Sequence, residues 1–213
     1  MIIYIIIAII AYLIGSINFS VIISKKMAGF DVREKGSGNA GTTNVLRTVG
    51  KKAAALTLIC DILKGVVPVL IAILIGIIAN KFQAEIKLEY LVQTAGISTI
   101  IGHTFPIFFK FKGGKGVASS LGLILLINWQ IGLICLVFAI FVMAVTRMVS
   151  LGSITAAILF AILTLFGISS QYYIVQGSYL IFGLLLALIV IFNHRSNIKR
   201  IISGTENKLS LKK

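Results

Sequence analysis

Residues 53–79 read AAALTLICDILKGVVPVLIAILIGIIA, an apolar run that carries Asp61, Lys64 and Pro68. A helix needs about 20 apolar residues to cross the hydrocarbon core of a bilayer, and this run is longer. Further apolar runs lie on both sides of it. Only helix bundles and closed barrels satisfy every backbone group in lipid. The runs are long and do not alternate, so they predict helices. The whole chain agrees with this reading: of 213 residues, 58% are hydrophobic and 12% charged, and the mean hydropathy is +1.06. A soluble core requires no such runs. The expected architecture is an all-α integral membrane protein, with residues 1–213 forming a single transmembrane domain.

Outward from this run, the pattern predicts seven spans: 2–23, 53–79, 90–108, 117–127, a fifth ending near Arg147, 151–168 and 175–192. The N-terminal stretch has no basic flank and no small-residue cleavage site, and it is long for a signal peptide, so it reads as an uncleaved first span. Asn128, Trp129 and Gln130 suit an interfacial turn that divides residues 117–147 in two. Taking those residues as one tilted helix would leave six spans. Seventeen of the 20 Lys and Arg residues fall on one predicted side, in the 24–52 loop, the 109–116 loop, at Arg147 and in the tail after His194. Lys81 and Lys87 lie on the other side, and Lys64 lies within a span. This bias predicts an outer N-terminus and a cytoplasmic C-terminus, and it speaks against the six-span layout. It also explains the net charge of +14 as loop charge rather than nucleic-acid binding. Cys60 and Cys135 fall in apolar runs and read as small hydrophobes with no disulfide role.

The polar segments gather on the same predicted face. GSGNAGTTNVLR at 36–47 offers glycines for close backbone approach, neutral hydrogen-bonding groups, and the cationic fork of Arg47, which suits phosphate. A helix starting near Thr43 would point its free N–H groups into this loop. GHTFP at 102–106 leads to the basic loop Lys110–Gly116. The region from Arg147 to Ser153, and the tail from His194 to Glu206, complete the set. Four segments distant in sequence and rich in cations predict one anion-binding site.

Other readings fail on detail. Gly36–Gly41 fits G-x-G-x-x-G, but no strand precedes it and Asp61 lies in a span, so a dinucleotide fold is not supported. Gly113–Gly116 lacks the first glycine and the Ser or Thr of a P-loop. No thiolate or paired-His set suggests zinc, and neither a metal nor a cofactor is expected. Asp61 and Lys64 lie three apart, face one side of a helix and can pair, which reads as a buried structural pair. His103 reads as structural. His194, at a helix end beside Arg195, is a candidate ligand contact.

Three segments, GSGNAGTTNVLR at 36–47, GHTFPIFFKFKGGKGVAS at 102–119 and HRSNIKRIISGTE at 194–206, resemble the acyl-phosphate-dependent glycerol-3-phosphate acyltransferases of bacterial inner membranes. The resemblance implies transfer of a fatty acyl group from acyl phosphate to the 1-hydroxyl of glycerol 3-phosphate, giving lysophosphatidic acid and phosphate at the cytoplasmic face. It implies catalytic roles for Ser37, Arg47, Lys115, His194 and Asn197. It implies substrate contacts at Gly36, Gly38, Asn39, Thr43, Asn44, Lys112, Gly113, Gly114, Ser150, Ser153, Arg195 and Glu206. Lys112 is the alternative to Lys115, and Ser153 to Ser150. The base is either His194 or a substrate phosphate oxygen. Acyl phosphate is already activated, and neither cysteine lies in a motif, so direct transfer without an acyl-enzyme is expected. Neither His has an Asp five positions on, so the His/Asp chemistry of soluble-type acyltransferases is not supported. The competing class is a transporter or channel for a phosphate-bearing anion, which would place polar residues throughout the spans. Here only Asp61 and Lys64 go deep.

Overall fold

The computed structural model describes residues 1–166 and 179–209. The chain divides into two compact units, Met1–Leu126 and Ile127–Lys213. The first holds α1 (Ile2–Gly15), α2 (Phe19–Ala28), α3 (Thr42–Thr48), α4 (Lys51–Lys81), α5 (Leu88–Thr104) and nearly all of α6 (Val117–Ile127). The second holds α7 (Trp129–Thr146), α8 (Val149–Leu165), α9 (Tyr179–Asn193) and α10 (Arg195–Ile202).

The burial pattern of α4 is that of a protein whose solvent is lipid. Most of its buried residues are small or polar, among them Ala53, Thr57, Asp61, Lys64, Gly65 and Ala72. Its large apolar residues Leu56, Ile59, Leu63, Leu70, Leu74 and Ile77 are exposed. In a bilayer the apolar side chains face lipid, and small residues let helices approach closely. A Cβ on Gly15 would collide with the Thr99 carbonyl, and one on Gly102 with that of Tyr12, so α1 and α5 pack backbone against backbone. Gly65 meets Ser119, and Gly122 meets Ile62, in the same way between α4 and α6. The chain is an all-helical, multi-pass membrane protein.

Among the described residues, Ile2–Ala28, Lys51–Lys81 and Trp129–Thr146 are long and apolar enough to cross a membrane, and α9 with α10, bent by 60°, makes a fourth if taken as one broken span. α6, with 11 residues, rises only about 17 Å at 1.5 Å per residue, short of the roughly 30 Å core. The expected division of 117–147 is present: α6 ends at Ile127, and the Asn128 side chain caps α7 by accepting from the Ile131 N–H at 3.2 Å. Residues 167–168 of the expected sixth span, 175–178 of the seventh, and Lys212 and Lys213 lie outside the described residues.

Two expected boundaries need correction. The first span is not one helix over 2–23; it breaks at 16–18. Asn18 leaves the helical conformation and caps α2 through its side chain, which accepts from the Val21 N–H. The Ile17 carbonyl freed by the break accepts from Lys64 Nζ at 2.8 Å. The third span ends at Thr104 rather than 108, because Pro106 disfavours helical geometry at Phe105.

In the second unit α8 packs against both α7 and α9. Tyr179 meets Phe160 edge-on with centroids 6.2 Å apart and stacks on Phe182 at 6.0 Å. Gly152 lets α8 close on the Ala139 carbonyl and Met143 of α7.

Candidate active site

In the first unit the 36–47 segment is a loop wound around one side chain. Asn44, 1% exposed, donates from Nδ2 towards the carbonyls of Val32 (2.8 Å), Lys35 (3.0 Å) and Asn39 (3.0 Å). Its Oδ1 accepts from the Ser37 N–H at 2.9 Å. Gly36 and Gly38 have positive φ, 61° and 71°, which an L side chain resists. A Cβ on Gly36 would also strike the Asn44 amide. The loop therefore returns on itself and leaves Ser37 and Arg47 exposed, with Asn39 and Thr43 half-buried. α3 starts at Thr42, one residue from the expected position.

Arg33 ties this loop to the next motif. Its guanidinium donates to both oxygens of Asp31, at 3.0 and 2.8 Å, and from Nη1 to the carbonyls of Phe109 (2.8 Å) and Lys112 (3.1 Å). The Arg33 hydrogen bond holds the Asp31 carboxyl below its usual range against the opposing effect of burial. The Gly113 and Gly114 N–H groups donate to the Thr104 and His103 carbonyls, each at 3.1 Å. Gly114 lies against the His103 ring, and a Cβ there would come 2.5 Å from the Ala40 carbonyl oxygen. The structure thus brings together two segments more than 60 residues apart in sequence. Lys112 is exposed and Lys115 half-buried.

The second unit holds a cluster centred on Glu206. Its Oε1 accepts from Ser150 Oγ (2.9 Å) and Asn197 Nδ2 (2.8 Å), and Oε2 accepts from Arg200 Nε (2.9 Å). Burial pushes the carboxyl upward, but these hydrogen bonds and the Arg200 charge outweigh it and hold Glu206 below its ordinary value. Ser153 Oγ donates instead to the Val149 carbonyl at 2.9 Å. His194, 2% exposed, sits at the bend where α10 begins. Its Nδ1 lies 2.7 Å from the Val190 carbonyl. A carbonyl only accepts, so Nδ1 carries the hydrogen, and in the neutral ring Nε2 is the unprotonated nitrogen. Arg195 is exposed and rests on the Phe192 ring, 4.7 Å from its centroid. The Leu209 N–H closes the tail onto the Arg147 carbonyl at 2.7 Å.

Sequence reasoning did not single out two of these groups. Arg33 and Arg200 read only as loop and tail charge, although each has a carboxylate near in sequence, at Asp31 and Glu206. Asn44 was expected to touch substrate, whereas its side chain is taken up by the loop backbone. The spacing of Asn44 from Val32, Lys35 and Asn39 carries no signal of that convergence.

Residues 5–204 match the sequence profile of the glycerol-3-phosphate acyltransferase family. A glycerol-3-phosphate acyltransferase of Clostridioides difficile (strain 630) is 46% identical, with 99% of this chain and 97% of that protein aligned. One from Thermoanaerobacter sp. (strain X514) is also 46% identical, over 96% of this chain and 95% of that protein. Among solved structures, the integral membrane glycerol 3-phosphate acyltransferase PlsY (YgiH) in its glycerol 3-phosphate form superposes with a TM-score of 0.81 at 35% identity. That alignment covers 97% of this chain and 96% of that one. Its lysophosphatidic acid form gives a TM-score of 0.79 at 34% identity, over 97% and 95%. Profile, full-length identity and fold agree: this chain belongs to the glycerol-3-phosphate acyltransferase family of integral membrane enzymes.

Proposed function

We propose that the chain transfers a fatty acyl group from acyl phosphate to the 1-hydroxyl of glycerol 3-phosphate, releasing phosphate and forming lysophosphatidic acid. The observation that carries this reading is the docking of Gly114 on His103 and Ala40. It joins the loop bearing Ser37 and Arg47 to the loop bearing Lys112 and Lys115. The result is a glycine-rich, cationic surface suited to phosphate.

In this reading the glycerol hydroxyl attacks the acyl carbonyl carbon, the bond to the phosphate oxygen breaks, and phosphate leaves. Arg47 holds a phosphate, and Ser37 and Asn39 add hydrogen bonds to it. Lys115 holds a substrate phosphate and stabilises the leaving group, with Lys112 the alternative. The proton passes to His194 Nε2 or to a substrate phosphate oxygen. The Nδ1 hydrogen bond to Val190 supports His194, since it leaves Nε2 as the basic nitrogen. Neither serine has a spare hydrogen: that of Ser150 goes to Glu206, and that of Ser153 to Val149. Ser150, in one network with Asn197, is therefore the better candidate for a substrate contact. A carboxylate has about four acceptor sites. Three on Glu206 are filled, and the fourth suits a glycerol hydroxyl. Transfer is direct, without an acyl-enzyme.

We further propose seven spans, an outer N-terminus and a cytoplasmic active face, on the strength of the loop charge bias. The test of the phosphate reading is Arg47. Losing a bidentate charge-assisted contact worth about 3–4 kcal/mol should lower kcat/KM for Arg47→Ala by roughly 100- to 1,000-fold. Arg47→Lys should recover only part, since an ammonium is a point charge and not a fork. Near-normal turnover in Arg47→Ala would remove the 36–47 loop from the site.

A further inference from the structure

A buried polar chain runs beneath the Lys115 loop. Lys64 Nζ, donating to the Ile17 carbonyl at 2.8 Å, lies 3.0 Å from Asp61 Oδ1. The same carboxylate oxygen is 3.9 Å from His103 Nδ1, which also lies 3.5 Å from Ser119 Oγ. Asp61, Lys64, His103 and Ser119 are all at least 94% buried. The two faces of the imidazole therefore differ. The Nδ1 edge looks into the bundle, towards Asp61 and Ser119. The Nε2 and Cε1 edge is the surface on which Gly114 rests.

Three glycines wrap the C-terminal end of α5. Gly113 lies against the His103 carbonyl and Pro106, Gly114 against the His103 ring and Ala40, and Gly116, at φ 83°, against Ile100. Lys115 stands between the last two. Its backbone is set by contacts on both sides, and the ring under Gly114 reaches back towards a buried charge.

We infer that His103 is a positioning residue for the Lys115 loop: its Nε2 edge seats Gly114, while Asp61 and Ser119 lie behind its Nδ1 edge. The inference rests on the reading that Lys115 holds a substrate phosphate. It gives the intramembrane Asp61–Lys64 pair a task beyond packing, since the same Lys64 that closes the α1–α2 break also holds the carboxylate behind His103. A displacement of about 1 Å at a positioned group can cost about a hundredfold in rate, so loss of the seat should be visible in kinetics.

Two conservative substitutions separate the two ring edges. An Asn side chain reproduces the reach of Nδ1 and vacates the Gly114 edge; a Gln side chain reaches the position of Nε2. Initial rates with purified full-length protein, varying acyl phosphate and glycerol 3-phosphate in turn, give KM for each substrate and kcat. Lys115→Ala identifies which substrate the loop holds. His103→Asn should raise KM about tenfold or more for that same substrate and less than about twofold for the other. His103→Gln should stay within about threefold of wild type. A merely structural role would lower the active fraction, and hence kcat, with both KM values unchanged. That pattern would overturn the inference, as would an Asn variant equal to or better than Gln. If both variants fail to accumulate as folded protein, Gly114→Ala supplies the test, because it lifts the loop from the ring and leaves the buried residues intact. An unchanged KM in Gly114→Ala would overturn the seat. Normal activity in Lys115→Ala would overturn the reading and the inference together, whereas a Lys115→Ala impaired for one substrate beside a normal His103→Asn would overturn the inference alone.

Discussion

Removing the Glu206 carboxylate tests how the second unit is held together. Glu206→Ala takes the acceptor from three donors. Ser150 and Asn197 are 6% and 4% exposed, so water replaces the lost bonds only in part. Each unpaired buried donor costs about 1–3 kcal/mol. The Arg200 side chain is 35% exposed and can rehydrate, so its share is under about 1 kcal/mol. The expected destabilisation is about 4 kcal/mol. At about 2–4 °C per kcal/mol for a chain of this size, the midpoint should fall by roughly 10 °C. Thermal unfolding in detergent can be followed with a thiol-reactive fluorophore, because Cys135 is buried and Cys60 partly so. Glu206→Gln should lose about 1 kcal/mol, since its oxygen can serve Ser150 and Asn197 while its NH2 faces the exposed Arg200. The pH dependence has a definite sign. The folded carboxyl is held below its ordinary value, so its contribution is complete above about pH 4.3, the unfolded value, and fades as pH falls through the folded one. The gap between wild type and Glu206→Ala should therefore narrow on acidification. A midpoint change under about 2 °C at neutral pH, or a gap that widens in acid, would refute this account of the clamp.

Asn44 should be more sensitive to charge than to truncation. Asn44→Ala leaves the Ser37 N–H and the Val32 carbonyl without their partner and should cost about 3 kcal/mol, whereas Asn44→Asp points a carboxylate at three carbonyl oxygens and should lower the thermal midpoint further; equal midpoints would contradict the hub. For topology, with Cys60 and Cys135 replaced, a single Cys near Lys87 should react with an impermeant thiol reagent in intact cells and one near Lys208 should not. Equal labelling would overturn the proposed orientation.

Local chemistry made much of this fold legible. The turn residues at Asn128 marked the break between α6 and α7, and the spacing of Asp61 and Lys64 anticipated the ion pair, 3.0 Å apart. The start of α3 followed from the polar loop before it. What the sequence could not convey were contacts made across long separations. The break at 16–18 is stabilised by Lys64, 47 residues on, so the apolar run 2–23 by itself looks continuous. Ser150 and Glu206 meet over a separation of 56 residues, and nothing in either segment names the other. His103 read as structural, which its burial fits, but its contact with Gly114 had no signal, because that glycine follows a turn held by Arg33. Asn44 looked like a ligand because a polar residue in a glycine loop has the same composition whether it faces a substrate or the loop itself.

The central claim is the reaction, and its most direct measurement is product formation by the purified protein with glycerol 3-phosphate and two alternative donors of the same acyl chain, acyl phosphate and acyl-CoA. With acyl phosphate, lysophosphatidic acid and phosphate should appear in equal amounts, and double-reciprocal plots with both substrates varied should intersect, as direct transfer requires. With acyl-CoA no product should form. Lysophosphatidic acid made from acyl-CoA alone, or parallel lines with acyl label left on the protein, would contradict the account.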